Sequence, residues 1–257
     1  MANRKKRRKF LFVWVIVFIL LGAFGSIIGY KWLQYRQAKF TRYAEFGINI
    51  PSDYSIHGID VSRYQRVIAW DQVKAMRVAD MQIGFAFIKA TEGVENVDPQ
   101  FSRNWRKARS NDMTRGAYHF FIASKDGKLQ AENFIRRVRL ESGDLPPVLD
   151  VEQLNNTSRV KLRAEVRKWL ETVQQHYNVK PIIYTNVDFY ENYLGKEFDD
   201  YPLWVAHYYE ARYPRISRNW SFWQHSDKGR VSGILSKVDF NVFAGDSAEF
   251  RSLLIPE

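Results

Sequence analysis

The chain has 257 residues, 46% of them hydrophobic and 16% aromatic, which is enough to bury a full core. Its net charge of +11 is uneven: residues 1–57 hold 10 Lys/Arg against 2 Asp/Glu, while the other 200 hold 29 against 26. The basicity belongs to the N-terminal segment, which removes the main support for nucleic-acid binding, and the absence of cysteine excludes disulfides, thiolate metal sites, a cysteine nucleophile and a lipid-bearing cysteine.

Residues 1–9 carry the cluster Arg4-Lys5-Lys6-Arg7-Arg8-Lys9, and an uncharged run follows from Phe10 to Tyr30. As a helix that run spans roughly 31 Å, the thickness of a bilayer's hydrocarbon core. Trp32 and Tyr35 follow where an interfacial aromatic belt belongs. The expectation is a single-pass signal anchor over 10–30 in a bacterial cytoplasmic membrane, with the basic tail inside and the rest on the outer face. Ala23-Phe24-Gly25 offers a cleavage site, and the chain is secreted if it is used. Residues 31–54 read as an amphipathic connector, with Phe40, Tyr43 and Phe46 along one side.

From residue 55 to the end, short apolar runs alternate with helical or loop segments, as in a βα architecture. Ile56–Val61 is the first predicted strand, followed by a helix over 69–79. Phe85–Ala90 is the second, ending in Thr91-Glu92-Gly93. Asp98-Pro99 reads as an N-cap and first helical residue, opening a helix through Arg109. Arg115–Phe121 is the third strand and 129–139 the third helix. Pro146 and Pro147 then mark the entry to an extended run, Val148-Leu149-Asp150-Val151-Glu152. Ser158 caps a helix in which Val160, Ala164, Val166, Trp169, Leu170 and Val173 recur at helical spacing. Strands follow at 181–185, 201–206, 221–225 and 238–242, with a last helix over 247–254. Residues 212–219 and 227–237 read as loops.

The pattern predicts an α/β fold, a modified (β/α)8 TIM-like barrel with reduced helices in its C-terminal half. Eight strands in about 190 residues fall short of the roughly 250 of a complete barrel. An open α/β sheet is the alternative.

In a barrel the C-terminal strand ends form the active-site face. Asp60, Glu92, Asp150, Glu152 and Asp239 all sit at or near such ends. Asp150 and Glu152 are two apart and share one side of a strand. Barrel closure puts Asp60 beside Asp239, facing Asp150 and Glu152. Carboxylates so crowded repel one another, so at least one should hold its proton and serve as an acid. Tyr118, Tyr184, Trp204, Tyr208 and Trp223 are the expected substrate contacts around the mouth, and His119 falls near it. The five histidines show no metal-ligand spacing, and no metal or cofactor is expected.

Six blocks occur in order: Gly58-Ile59-Asp60-Val61-Ser62, Phe87-Ile88-Lys89-Ala90-Thr91-Glu92-Gly93, Gly116-Ala117-Tyr118-His119-Phe120, Leu149-Asp150-Val151-Glu152, Leu203-Trp204-Val205-Ala206-His207-Tyr208 and Val238-Asp239-Phe240-Asn241-Val242-Phe243. Together they resemble the glycoside hydrolase family 25 lysozymes, the Chalaropsis-type muramidases. The resemblance covers Ile56 to the C-terminus. It implies cleavage of the β-1,4 bond between N-acetylmuramic acid and N-acetylglucosamine in peptidoglycan glycan strands. It also implies that Glu152 is the general acid. Asp150 would be its partner, either orienting the substrate's acetamido group or acting at the anomeric carbon, and Asp60 and Asp239 would complete the set. Val94-Glu95-Asn96 stands where the family has an aromatic, and His225 where it has tyrosine. Alternatives are a chitinase-like glycosidase, which also carries Asp-x-Glu on a fourth strand, and a non-catalytic wall-binding scaffold.

Overall fold

In the computed structural model, residues 2–35, 39–208, 210 and 213–256 are described, with the helix at 2–13 and 33–35 given as backbone only. The basic cluster and Tyr35 therefore lie outside the described side chains, and residues 36–38 and Arg212 outside the described residues. The N-terminal helix runs unbroken over Ala2–Tyr35. Within it Trp14–Trp32 is strongly apolar, with Lys31 near its end, and none of its 19 residues is buried against protein.

Eight strands close into a barrel: β1 (His57–Val61), β2 (Met81–Glu92), β3 (Thr114–Phe120), β4 (Val148–Asp150), β5 (Ile182–Asn186), β6 (Leu203–Ala206), β7 (Phe222–Gly229) and β8 (Val238–Phe243). Strands β1 to β7 pair in parallel in chain order. β8 closes the ring between β7 and β1, antiparallel to both. The barrel thus departs from the all-parallel (β/α)8 pattern at its last strand. A parallel crossover needs about a dozen residues or more, and only residues 230–237 join β7 to β8.

Five helices surround the strands: α1 (Trp70–Ala75), α2 (Phe101–Arg109), α3 (Gly127–Arg137), α4 (Arg159–Tyr177) and α5 (Ser247–Leu253). After β5 there are only short turns, Val187–Phe189, Tyr190–Leu194 and Lys196–Phe198. Among the described residues no helix follows β6 or β7. The predicted helix over 69–79 stops at Ala75. Arg77–Val78 instead folds back on Met81–Gln82 as a small hairpin, with Ala79 in a left-handed conformation. Residues 227–229, expected in a loop, extend β7. Asp98 is not the cap of α2, whose N-cap is Gln100. Its carboxylate instead accepts the backbone N–H of Arg63 and of Gln100, each at 2.8 Å, which ties the loop after β1 to the start of α2.

Alternation along the strands divides the core in two. Phe85, Phe87, Val148, Ile182, Trp204, Phe222 and Phe243 point into the barrel, and Phe250 of α5 joins them. Ile59, Ala86, Ile88, Leu149, Ile183 and Val205 point out to the helices. The interior phenylalanines need room that only glycine leaves. A Cβ on Gly58 would lie 2.4 Å from the Phe85 ring, and one on Gly116 2.6 Å from Phe87. Near the start of β3, Arg115 is buried in a two-point ion pair with Asp144, at 2.8 and 3.1 Å, its guanidinium 3.9 Å from the Trp105 ring centre.

The expected connector is also corrected. Phe40–Tyr43 and Ile48–Pro51 form an antiparallel hairpin. Phe46 at its turn is fully buried, 5.3 Å from the Phe240 ring, and its carbonyl accepts the N–H of Arg230. Hydrophobic burial makes the hairpin part of the barrel's outer core. Phe46→Ala is expected to cost about 3–5 kcal/mol by the lost transfer energy and the cavity left behind. Urea unfolding of the two proteins measures it.

Candidate active site

The site is built by residues from all eight barrel strands. Asp60 is the fourth residue of β1 and Asp239 the second of β8, and the antiparallel register sets them directly opposite. Because β8 runs backwards, its beginning lies at the mouth where the parallel strands end. Asp150 ends β4, and Glu152 follows just past it. Together with Tyr118, Tyr184, Trp204 and Tyr208 these four carboxyl groups line one pocket of about 270 Å³.

Trp223 does not join them. Its neighbour Gln224 takes the inward phase, so Trp223 faces outward and is fully buried against Phe40, Tyr54 and Trp220. It holds the hairpin instead of a sugar. Trp204 lines the pocket from its floor. It is only 2% exposed, with its ring stacked on Phe87 at 4.3 Å and tilted against Tyr184 at the same distance. Tyr208 stands at the rim, 36% exposed. His119 also faces outward, away from the mouth. It bonds Thr91 at 2.7 Å and Gln130 at 3.2 Å, and burial pulls its pKa down to about 3, so it is a neutral core residue.

Gln224 and Lys89 of the pocket wall, and Asn241 behind it, were not singled out as site residues from the sequence. Gln224 Nε2 and Asn241 Nδ2 both donate to Asp60 Oδ2, at 2.7 and 2.8 Å. Lys89 Nζ lies 2.7 Å from Glu92 Oε2 and 4.6 Å from the centre of the Phe120 ring. A register shift in β2 between Lys89 and Thr91 brings these two charges together. Gln224 and Asn241 share the phase of Phe222 and Asp239, so strand alternation was the signal that could have found them.

Burial dominates the electrostatics. It raises Asp60, with the amides of Asn241 and Gln224 pulling the other way. Asp239 is pushed up to about 9 by burial and then by the charge of Asp60, to which it is hydrogen-bonded. Asp150 is held well above the ordinary carboxyl range by burial and then by the charge of Glu152. Glu152 is raised by burial as well, and the two hydrogen-bond one another. Burial also pushes up the phenols of Tyr118 and Tyr184, which stay protonated. Asp239 therefore keeps its proton at neutral pH, and the other three carboxyl groups are shifted in the same direction. That is the equipment for general acid and then general base work. No cluster of residues suited to a metal ion occurs among the described residues.

The family model described as Glycosyl hydrolases family 25 matches residues 59–234. Uncharacterized protein YegX of Escherichia coli K12 is 48% identical, over 81% of this chain and 77% of its own. Lysozyme M1 of Streptomyces globisporus is 34% identical, over 79% of this chain and 73% of its own. The solved structure of a family 25 glycosyl hydrolase from Bacillus anthracis superposes with a TM-score of 0.74 at 33% identity. That match covers 84% of this chain and all of the other.

The raised pKa of Asp239 links stability to pH. Folded, the group keeps its proton up to about pH 9, whereas unfolded it loses it near pH 4. Its stabilising contribution is therefore complete below pH 4 and is lost as pH rises towards 9. Asp239→Asn is expected to gain stability relative to the parent protein between pH 5 and pH 9. Urea unfolding of both proteins across that range measures the change.

Proposed function

The chain belongs to the glycosyl hydrolases family 25, and from that membership and the four-carboxyl pocket we propose that it is a membrane-anchored lysozyme cutting peptidoglycan glycan strands. The bond broken is the β-1,4 linkage between N-acetylmuramic acid and N-acetylglucosamine. The observation that carries this reading is the buried, hydrogen-bonded pair Asp150 and Glu152 on the pocket wall.

Glu152 protonates the glycosidic oxygen as the bond to the anomeric carbon breaks. The proton comes from the pool it shares with Asp150. Asp150, relieved of it, accepts the N–H of the muramic acid acetamido group, whose carbonyl oxygen attacks the anomeric carbon. Water then opens that intermediate, returning its proton to Glu152. Both carboxyl groups stand on one wall, which suits this substrate-assisted course better than attack by a carboxylate across the ring. Tyr118 and Tyr208 contact the sugar at the mouth, and Tyr184 and Trp204 support it from the floor. The scaffold alternative has less in its favour, since a non-catalytic protein has no use for four desolvated carboxyl groups.

The helix supports the anchor. The apolar side chains of Trp14–Trp32 are exposed, Val17 partly so, as in a segment whose solvent is lipid. The preceding basic cluster favours a cytoplasmic N-terminus, with the barrel on the outer face of the cytoplasmic membrane.

Glu152→Gln is expected to lower wall hydrolysis by about 10²–10⁴-fold with the fold intact, and Asp150→Asn to be severely impaired. Mass spectrometry of muropeptides released by the parent protein should find muramic acid at the new reducing end. N-acetylglucosamine there, or faster turnover of chitin, would overturn the bond assignment. The barrel should stay with membranes through a carbonate wash, and its N-terminal peptide should include residues before Ala23. Recovery of a soluble form beginning after Gly25 would replace the anchor by a cleaved signal.

A further inference from the structure

The Asp60–Asp239 pair and the Asp150–Glu152 pair differ in how firmly their protons are placed. Asp150 Oδ1 is buried with no hydrogen-bond partner among the described residues. The hydrogen bond that bears on the charges of that pair is the one its two members share. The other pair is surrounded by amides whose orientation is fixed from behind. Trp204 Nε1–H, which can only donate, binds Asn241 Oδ1 at 2.7 Å. The Asn241 amide must therefore present Nδ2–H to Asp60, and it does so at 2.8 Å. The hydroxyls of Tyr184 and Tyr208 both donate to Gln224 Oε1. That turns the Gln224 Nε2–H onto the same Asp60 oxygen, at 2.7 Å. One oxygen receiving two N–H donors is an acceptor, which favours the ionised form of Asp60. Its hydrogen bond with Asp239 then requires the proton to come from Asp239.

We propose that Gln224 and Asn241 are positioning residues that pin the negative charge of the Asp60–Asp239 pair on Asp60 and leave its proton on Asp239. Other charged or titratable groups face Asp60 from around the ring. Asp150 and Glu152 approach from β4, Tyr118 from β3, and Tyr184 and Tyr208 from β5 and the end of β6. All of these are neutral or anionic. The cation lining the pocket, Lys89 of β2, is paired with Glu92. Among the described residues, the two amides and the hydrogen bond from Asp239 are what offset the burial of Asp60. The result is a preorganised anion beside a second pair whose two members share a hydrogen bond. Such an anion stabilises the positive charge that grows on the sugar as the glycosidic bond breaks. This last role rests on the muramidase reading; the charge assignment does not.

Carboxyl carbon-13 resonances of labelled aspartate in the detergent-solubilised full chain test the assignment directly, with Asp60→Asn and Asp239→Asn identifying the signals. At pH 7 Asp60 is expected at a carboxylate position and Asp239 at a protonated one. In Asn241→Leu the Asp60 signal should titrate at least about one pH unit higher, the worth of one donor to a charged group. The acid limb of kcat/KM on soluble glycan strands should move up by the same amount. Gln224→Met gives a second reading if Asn241→Leu fails to fold. Asp60 protonated at pH 7, or variants that lose activity with an unmoved pH profile and unmoved resonances, would overturn the proposal. A parent protein inactive on glycan strands but with the expected resonances would refute the muramidase reading and leave the charge assignment standing.

Discussion

Asp60 and Asp239 face each other as direct partners in the ladder between the first and last barrel strands. Two carboxylates at that spacing, out of water, cannot both be ionised. Much of the upper barrel follows from meeting this constraint. The reversal of β8 creates the opposition, because an antiparallel strand brings its beginning to the mouth. It also brings Asn241 two residues deeper on the same face, within reach of Asp60. Gln224 on β7 completes the set from the other side, and the indole of Trp204 supports Asn241 from below. A parallel eighth strand would have presented a different end of its sequence to the pocket.

The base of the barrel solves the opposite electrostatic problem. Arg115 and Asp144 are as deeply buried as the mouth carboxyls, but they are opposite in sign and joined by two hydrogen bonds. Arg115 also donates to the Trp105 carbonyl at 2.6 Å, and Asp144 accepts the N–H of Glu141. Both charges of that pair find their partners within the protein. The backbone of Asp144 in turn accepts the N–H of Ile255, fastening the C-terminal segment under the strands. Satisfied charge lies at the base and frustrated charge at the mouth, which is the division expected when stability and chemistry occupy different ends of one barrel.

Strand positions and the four carboxyl groups were legible because alternation is strict in short apolar strands. Asp60, Asp150 and Asp239 each fall in phase with buried apolar neighbours. Trp223 was misread for the same reason that Gln224 was missed. Composition makes tryptophan look like the sugar contact, but phase puts the plain amide inside and the aromatic outside. The hairpin at residues 40–51 was missed because its strands are only four residues each and its burial depends on Phe240 and Arg230, nearly two hundred residues away. Asp98 has the local signature of a helix cap, and its actual partners include Arg63, 35 positions back. In each case a contact distant in sequence overrode a local preference. The direction of β8 was implicit in the short link before it.

The phenylalanines that glycine admits to the barrel's centre have one more consequence. Phe85, Phe87, Phe222, Phe243 and Phe250 fill the interior below the carboxyl groups and offer no polar atom along that path. Among the described residues the barrel's centre therefore offers the carboxyl groups no polar relay from below, and the exchange of their protons with the medium falls to the side on which the pocket opens.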